Sequence, residues 1–336
     1  MQKVQRLDSL DLLRGIAALM VCTCHFGGEL SSRNSYASIL NAFHDYGKFG
    51  VQMFFVISGF VIPLSLYNGK FTISNYFTFI QKRIARLHIP YLVALLGSLI
   101  MMSISPILRH TPYPENVFTI FQSLFYGHIP NNNPVFWTLL IEWQYYFFIG
   151  IFYCLLVKYP KFSVGIVIPV LILISRIGWI SSVHFFSFIT FFLIGNVGFL
   201  IYTKHGNVLL NRLILAGLII FSFCSYEIAP ALVSILTILC ILFYKKATPK
   251  PLLFPGKISY AIYLIHWPIG IKFLRLPYPI LQQHSVWIML VFTLLMIIFL
   301  SWYFNKWIEM PAEKLAGKFK YQQKQKTLPV RLPQLA

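Results

Sequence analysis

With 28 Lys and Arg against 9 Asp and Glu in 336 residues, every charge inside an apolar run is a candidate for chemistry. The most informative pair is Arg14 and His25. At 3.6 residues per turn their separation is close to three turns, so both side chains share one helix face. At 1.5 Å rise they stand about 16 Å apart. A guanidinium near one end of a membrane helix, with an imidazole deeper in, suits a long ligand with a phosphorylated head and a thin arm. Coenzyme A thioesters have that form. The same residues admit a structural reading, in which His25 hydrogen-bonds a neighbouring helix and Arg14 reaches for lipid headgroups.

Four further elements carry candidates. In Lys82-Arg83-Ile84-Ala85-Arg86, the two arginines are helical neighbours able to fork around a phosphate, or they mark the cytoplasmic side. Glu142 follows Trp137-Thr138-Leu139-Leu140-Ile141 at a depth similar to His25. A buried carboxylate needs a partner. It could steady His25, or bind a sugar hydroxyl with Trp137 and Tyr146 as a stacking floor, or pair with Arg176 or a Tyr hydroxyl. Ser58-Gly59 reads chiefly as a close helix contact, with Ser58 a lesser candidate to line a site. His266 sits two residues before Pro268, and a proline break in mid-membrane generally lines a cavity. That imidazole either serves the site or satisfies the freed carbonyls.

No metal site is expected. Cys22, Cys24, Cys154, Cys224 and Cys240 all fall in apolar segments, and none forms a CxxC. Cys22, Cys24 and His25 cannot converge, because positions i and i+2 point to different helix faces.

The elements that must hold these residues are membrane helices. Hydrophobic residues make up 57% of the chain, charged residues 11%, and mean hydropathy is +0.70. A soluble surface needs about 25% charged residues, so a soluble enzyme is excluded. Ten apolar segments run over 11–30, 47–66, 88–108, 135–157, 162–181, 185–202, 212–226, 229–244, 258–274 and 286–304. The fold class is therefore all-α and polytopic, with about ten spans. The formal charge of +19 does not gather on one water-facing surface, which argues against nucleic acid. Instead, 21 of the 28 cations fall in alternate loops and the tail, against 5 on the opposite side, which predicts that both termini are cytoplasmic. Residues 1–310 form the membrane domain, and 311–336 read as a basic, disordered tail bound to anionic lipid headgroups.

The ordered series of motifs resembles the integral-membrane acyltransferase-3 family of O-acetylase type. The matching residues are Asp11-Leu12-Leu13-Arg14-Gly15 with His25, then Phe54-Phe55-Val56-Ile57-Ser58-Gly59-Phe60, Arg83 and Arg86 before Pro90-Tyr91, Trp137-Thr138-Leu139 with Glu142, and Ser259-Tyr260 through His266 and Pro268. Lys82 stands where the family often has arginine, and Pro90 lies one place later than in many members. The resemblance implies a stand-alone membrane domain in the bacterial inner membrane, without a fused esterase-like domain. It implies transfer of an acyl group, usually acetyl, from cytoplasmic acyl-coenzyme A to a hydroxyl on a glycan or glycolipid, with no bound cofactor. His25 would then be the catalytic imidazole, as general base or transient acyl carrier, with Arg14, Arg83 and Arg86 on the donor side. The competing class is a transporter or flippase of a lipid-linked saccharide. Such transporters show broken helices at matching places in two related halves, and Pro169 and Pro268 do not pair in that way.

Overall fold

The computed structural model describes residues 8–31, 37–109, 113–131, 133–181, 183–276 and 286–322. Every regular element among them is helical. In chain order these include α1 (Asp8–Ser31), α2 (Ala37–Gly47), α3 (Gly50–Asn68), α4 (Tyr76–Arg83), α5 (Ile89–Arg109), α6 (Val117–Leu124) and α7 (Trp137–Lys158). Then come α8 (Ile168–Ile174), α9 (His184–Tyr202), α10 (Val208–Ser225), α11 (Ile228–Phe243), α12 (Lys250–Lys257), α13 (Ser259–Ile265), α14 (Val286–Phe304) and α15 (Met310–Lys318).

The protein is an all-α polytopic membrane protein. Among the described residues, seven helical runs are long and apolar enough to cross a bilayer: Asp8–Ser31, Ser38–Asn68, Ile73–Ser103, Pro134–Lys158, His184–Tyr202, Val208–Ser225 and Val286–Lys318. Pro160–Ile174 and Ile228–Phe243 are apolar but shorter. The segment from α13 to Leu274 is shorter still in regular helix, because it changes pitch at His266. A span of the ~30 Å hydrocarbon core takes about 20 residues. These three predicted segments are helical but fall short of that length.

The core forms where α3 crosses α9. A Cβ on Gly59 would overlap the Phe192 carbonyl, and one on Gly195 would overlap that of Val56. Small residues let the two backbones touch. The Ser58-Gly59 step thus packs helices as its sequence suggested. Tyr145 of α7 stacks on Phe192 at 4.2 Å and donates to Asn196 Oδ1 at 2.8 Å, so the third helix is locked to the same crossing.

Prolines set the bends. Each lacks an amide hydrogen and leaves the carbonyl four residues back without its donor. Wide π turns occur at Ile84–His88, Ser163–Val167, His266–Ile271 and Asn305–Glu309. Pro90, Pro169 and Pro311 each lie two residues past such a turn, and Pro268 lies within one. The loosened carbonyls find other donors. Buried Asn133 gives its Nδ2 to the Leu264 carbonyl at 3.2 Å, and Tyr260 gives its hydroxyl to that of Leu87 at 2.8 Å.

The segment 113–131, an outer loop by its sequence, folds back along α5. Tyr113 donates to the Leu99 carbonyl (3.1 Å), Tyr91 to that of Ser123 (2.5 Å), and Tyr126 shares a hydrogen bond with His88 (3.2 Å). Burial pushes the Glu115 carboxyl up, but the Asn131 backbone N–H, Thr119 and His128 together hold it below its ordinary value. This loop braces the turn that bears Arg86.

The first part of the tail expected over 311–336 is structured. Met310–Lys318 is helical, Tyr321 packs on Phe71 at 5.6 Å, and the Gln322 backbone pairs with the Asn75 side chain at 2.8 and 3.1 Å. Ala312 and Ala316, four apart, give that helix a small buried face which charge content alone does not reveal. Residues 323–336 lie outside the described residues.

Candidate functional site

Most of the candidate residues, though not His25, converge on one cavity of about 180 Å³. Its walls come from α1 (Arg14), α3 (Phe54 to Ser65), the turn after α4 (Arg86, Leu87), α7 (Thr138 to Tyr146), α13 (Ser259, Tyr260, Tyr263) and the C-terminal run (Asn305, Glu309, Glu313). Six of the sequence candidates line it: Arg14, Ser58, Arg83, Arg86, Glu142 and Tyr146. His25, Trp137 and His266 do not.

Arg14 reaches the cavity because α1 packs closely on α12. A Cβ on Gly256 would overlap the Asp11 carbonyl, so only glycine admits that approach. Arg83 is 8% exposed, and its guanidinium lies over the rings of Phe79 (5.1 Å) and Tyr146 (5.3 Å). Its Nε has no hydrogen-bond partner, and no carboxylate pairs with it among the described residues. A buried guanidinium without an ion pair is costly. Arg86, three residues on, is half-exposed and pairs with Glu313 at 2.8 Å.

Glu142 accepts from the Tyr146 hydroxyl and from Ser58 Oγ (3.3 Å), both on Oε1. Its Oε2 takes no hydrogen bond among the described residues. The tyrosine alternative considered for Glu142 is therefore the one observed. Arg176 instead lies over Phe221 (4.8 Å) and Tyr226 (5.0 Å). No contact joins Glu142 to His25 among the described residues, so a direct steadying of the imidazole is not how the two are arranged. Trp137 packs on Phe188 at 5.4 Å, away from the cavity, because the first turn of α7 points it toward α9.

His25 lies beyond the inner wall. Tyr263 lines the cavity and hydrogen-bonds Thr138 (2.5 Å) and the Val135 carbonyl (2.8 Å). Its ring is 5.7 Å from His266, which stacks on His25 at 5.4 Å. Trp267 meets His25 edge-on at 4.6 Å. His25 is half-buried and makes no hydrogen bond among the described residues. His266 is fully buried, and Nδ1 must be its protonated nitrogen because it faces the Tyr263 (2.8 Å) and Ile262 (3.2 Å) carbonyls. Its Nε2 is left without a hydrogen-bond partner among the described residues. His266 thus bonds carbonyls of the preceding turn, whereas the Leu264 carbonyl that Pro268 frees is taken by Asn133.

Sequence reasoning missed Glu309, Glu313, Asn305, Lys257 and Tyr260, all on the cavity wall. A signal was present for two of them. Glu309 and Glu313 are carboxylates four apart in a chain with only 9, beside a proline that widens the helix.

The family model described as an acyltransferase domain, acyltransferase 3, matches residues 7–306. No curated protein and no solved structure matches the chain.

Proposed function

The chain belongs to the acyltransferase-3 family, and from that premise we propose that it carries acetyl from cytoplasmic acetyl-coenzyme A to a hydroxyl of a cell-surface glycan or glycolipid. It is a multi-pass membrane acyltransferase; the finer reading adds the bacterial inner membrane, the donor and the acceptor. The observation that carries it is the convergence of Arg14, Arg83 and Arg86 with Glu142 on one cavity, with His25 two ring contacts past its inner wall.

The guanidiniums hold the donor's phosphates, and the thin arm extends along the cavity toward Tyr263. Reaching His25 requires the Tyr263 wall to move aside. Neutral His25 then accepts the proton of the acceptor hydroxyl as that oxygen attacks the thioester carbonyl. The carbon–sulfur bond breaks, the thiolate takes the proton from the imidazolium, and an ester and free coenzyme A result. A second route uses a His25 nitrogen as nucleophile: it attacks the thioester and expels coenzyme A as thiolate, and the hydroxyl then attacks the acyl-imidazole, its proton going to the thiolate as the imidazole leaves. That route passes the acetyl across the membrane in two steps. Glu142 Oε2, without a hydrogen bond among the described residues, is an acceptor for a sugar hydroxyl.

The test is mass spectrometry of surface glycan from cells making each variant at matched membrane levels. His25→Ala is expected to lose essentially all acetylation, since positioned acid–base groups contribute about 100- to 10,000-fold. Glu142→Gln is expected to retain reduced activity. Wild-type acetylation in His25→Ala cells would remove His25 from the chemistry.

A further inference from the structure

A second pocket of about 250 Å³ lies against the first. Lys82, Arg83 and Arg86 form one side, and Glu313, Gly317 and Tyr321 the other. The two spaces share Ser65, Arg83, Arg86 and Glu313, so the Arg86–Glu313 ion pair sits at their boundary. The covering segment, 310–322, lies beyond the residues that the family model matches.

Its charges do not balance. Three cations face one carboxylate, and the most buried of them, Arg83, makes no ion pair among the described residues. Glu313 is held by a single ion pair whose partners are 43% and 56% exposed, and such pairs are weak and readily exchanged. The far end of the segment is tied down independently. Lys82 lies 4.4 Å over the Tyr321 ring, and Gln322 pairs with Asn75. Glu313 can therefore swing away while the cover stays in place. Size points the same way. Each space alone falls below the ~300 Å³ at which ligand pockets begin, and the two joined exceed it.

We propose that the second pocket seats the phosphorylated nucleotide head of the acyl donor, and that Glu313 holds the phosphate's place on Arg86 until the donor arrives. This rests on the acyl-coenzyme A reading above. Arrival of the phosphate satisfies Arg83, displaces Glu313, and joins the two spaces into one channel, with the head under the C-terminal cover and the arm in the inner cavity.

The experiment is equilibrium binding to the purified full chain in detergent, with coenzyme A, adenosine 3′,5′-bisphosphate and pantetheine as probes. Adenosine 3′,5′-bisphosphate is expected to compete with coenzyme A. Glu313→Gln, which removes the competing charge and keeps the shape, is expected to tighten both nucleotide probes about 3- to 10-fold at low salt and to leave pantetheine unaffected. Lys82→Ala is expected to weaken the nucleotide probes by a similar factor. In an Arg86→Ala background, Glu313→Gln is expected to have no effect, because the guanidinium over which the two anions compete is gone. Thermal unfolding of each variant confirms that it is folded. If coenzyme A binds but Glu313→Gln binds it no tighter, or the bisphosphate does not compete, the proposal is overturned and the donor reading stands. If the wild-type chain binds no coenzyme A, both fall together.

Discussion

Arg83 and Arg86 are three residues apart on one helix surface, yet they sit in opposite electrostatic situations. Arg83 is buried with its Nε unpartnered, whereas Arg86 is half-exposed and neutralised by Glu313. An anion that reaches Arg83 relieves an existing desolvation cost, and one that reaches Arg86 must first displace a carboxylate. Arg83→Ala is therefore expected to weaken donor binding more than Arg86→Ala. Hydrogen bonds to charged groups are worth about 1.5–3 kcal/mol, so the loss at Arg83 should be roughly 10- to 100-fold. Arg83→Lys is expected to fail as well, since an ammonium cannot reproduce a planar two-point grip or its stacking on Phe79 and Tyr146. Coenzyme A affinity of the purified variants reads this directly. Equal, wild-type affinity in both alanine variants would make the pair a mere marker of membrane side.

At the scale of elements, prolines do more than bend. The π turns at Ile84–His88 and Asn305–Glu309 bring Arg86, Leu87, Asn305 and Glu309 to the cavity, and side chains from distant helices cap the loosened carbonyls. Asn133 is the clearest case. Fully buried, it joins the loop before α7 to Ser98 and to the Leu264 carbonyl that Pro268 deprives of a donor. Removing the amide leaves that carbonyl buried and unsatisfied, which costs about 1–3 kcal/mol. Asn133→Ala is expected to lower the thermal midpoint of the detergent-solubilised protein by several degrees. It should also impair transfer, because the same bond positions Tyr263 and His266. An unchanged midpoint would mean that water serves the carbonyl equally well.

For the molecule as a whole, the distribution of cations sets orientation. With 21 on one side and 5 on the other, both termini are expected in the cytoplasm. That places Arg86, Lys257 and Glu313 on the side where coenzyme A is found, and His25 toward the outer leaflet. A phosphatase that folds only outside the cytoplasm, fused after Ala336, is expected to be inactive. A fluorescent protein that matures only inside should light up. The reverse pattern would invert the path of the acyl group and sink the donor assignment.

What the sequence determined by itself was whatever depends on composition and on spacing along one element. The helical membrane class follows from hydropathy, and the shared face of Arg14 and His25 from helix period. The Arg83–Arg86 neighbourhood and the Ser58-Gly59 contact are likewise local. The tertiary structure decided what lies across elements. It gave Glu142 to Tyr146 and Ser58, set His25 behind Tyr263 beside His266, and folded 113–131 back along α5. It also brought Glu313 from near the end of the chain onto Arg86. Periodicity fixes which way a side chain points on its own helix. Which partner stands opposite depends on helix crossings governed by small residues and on prolines that redirect carbonyls, and these couple residues as far apart as 247 positions, as Asn75 and Gln322 are.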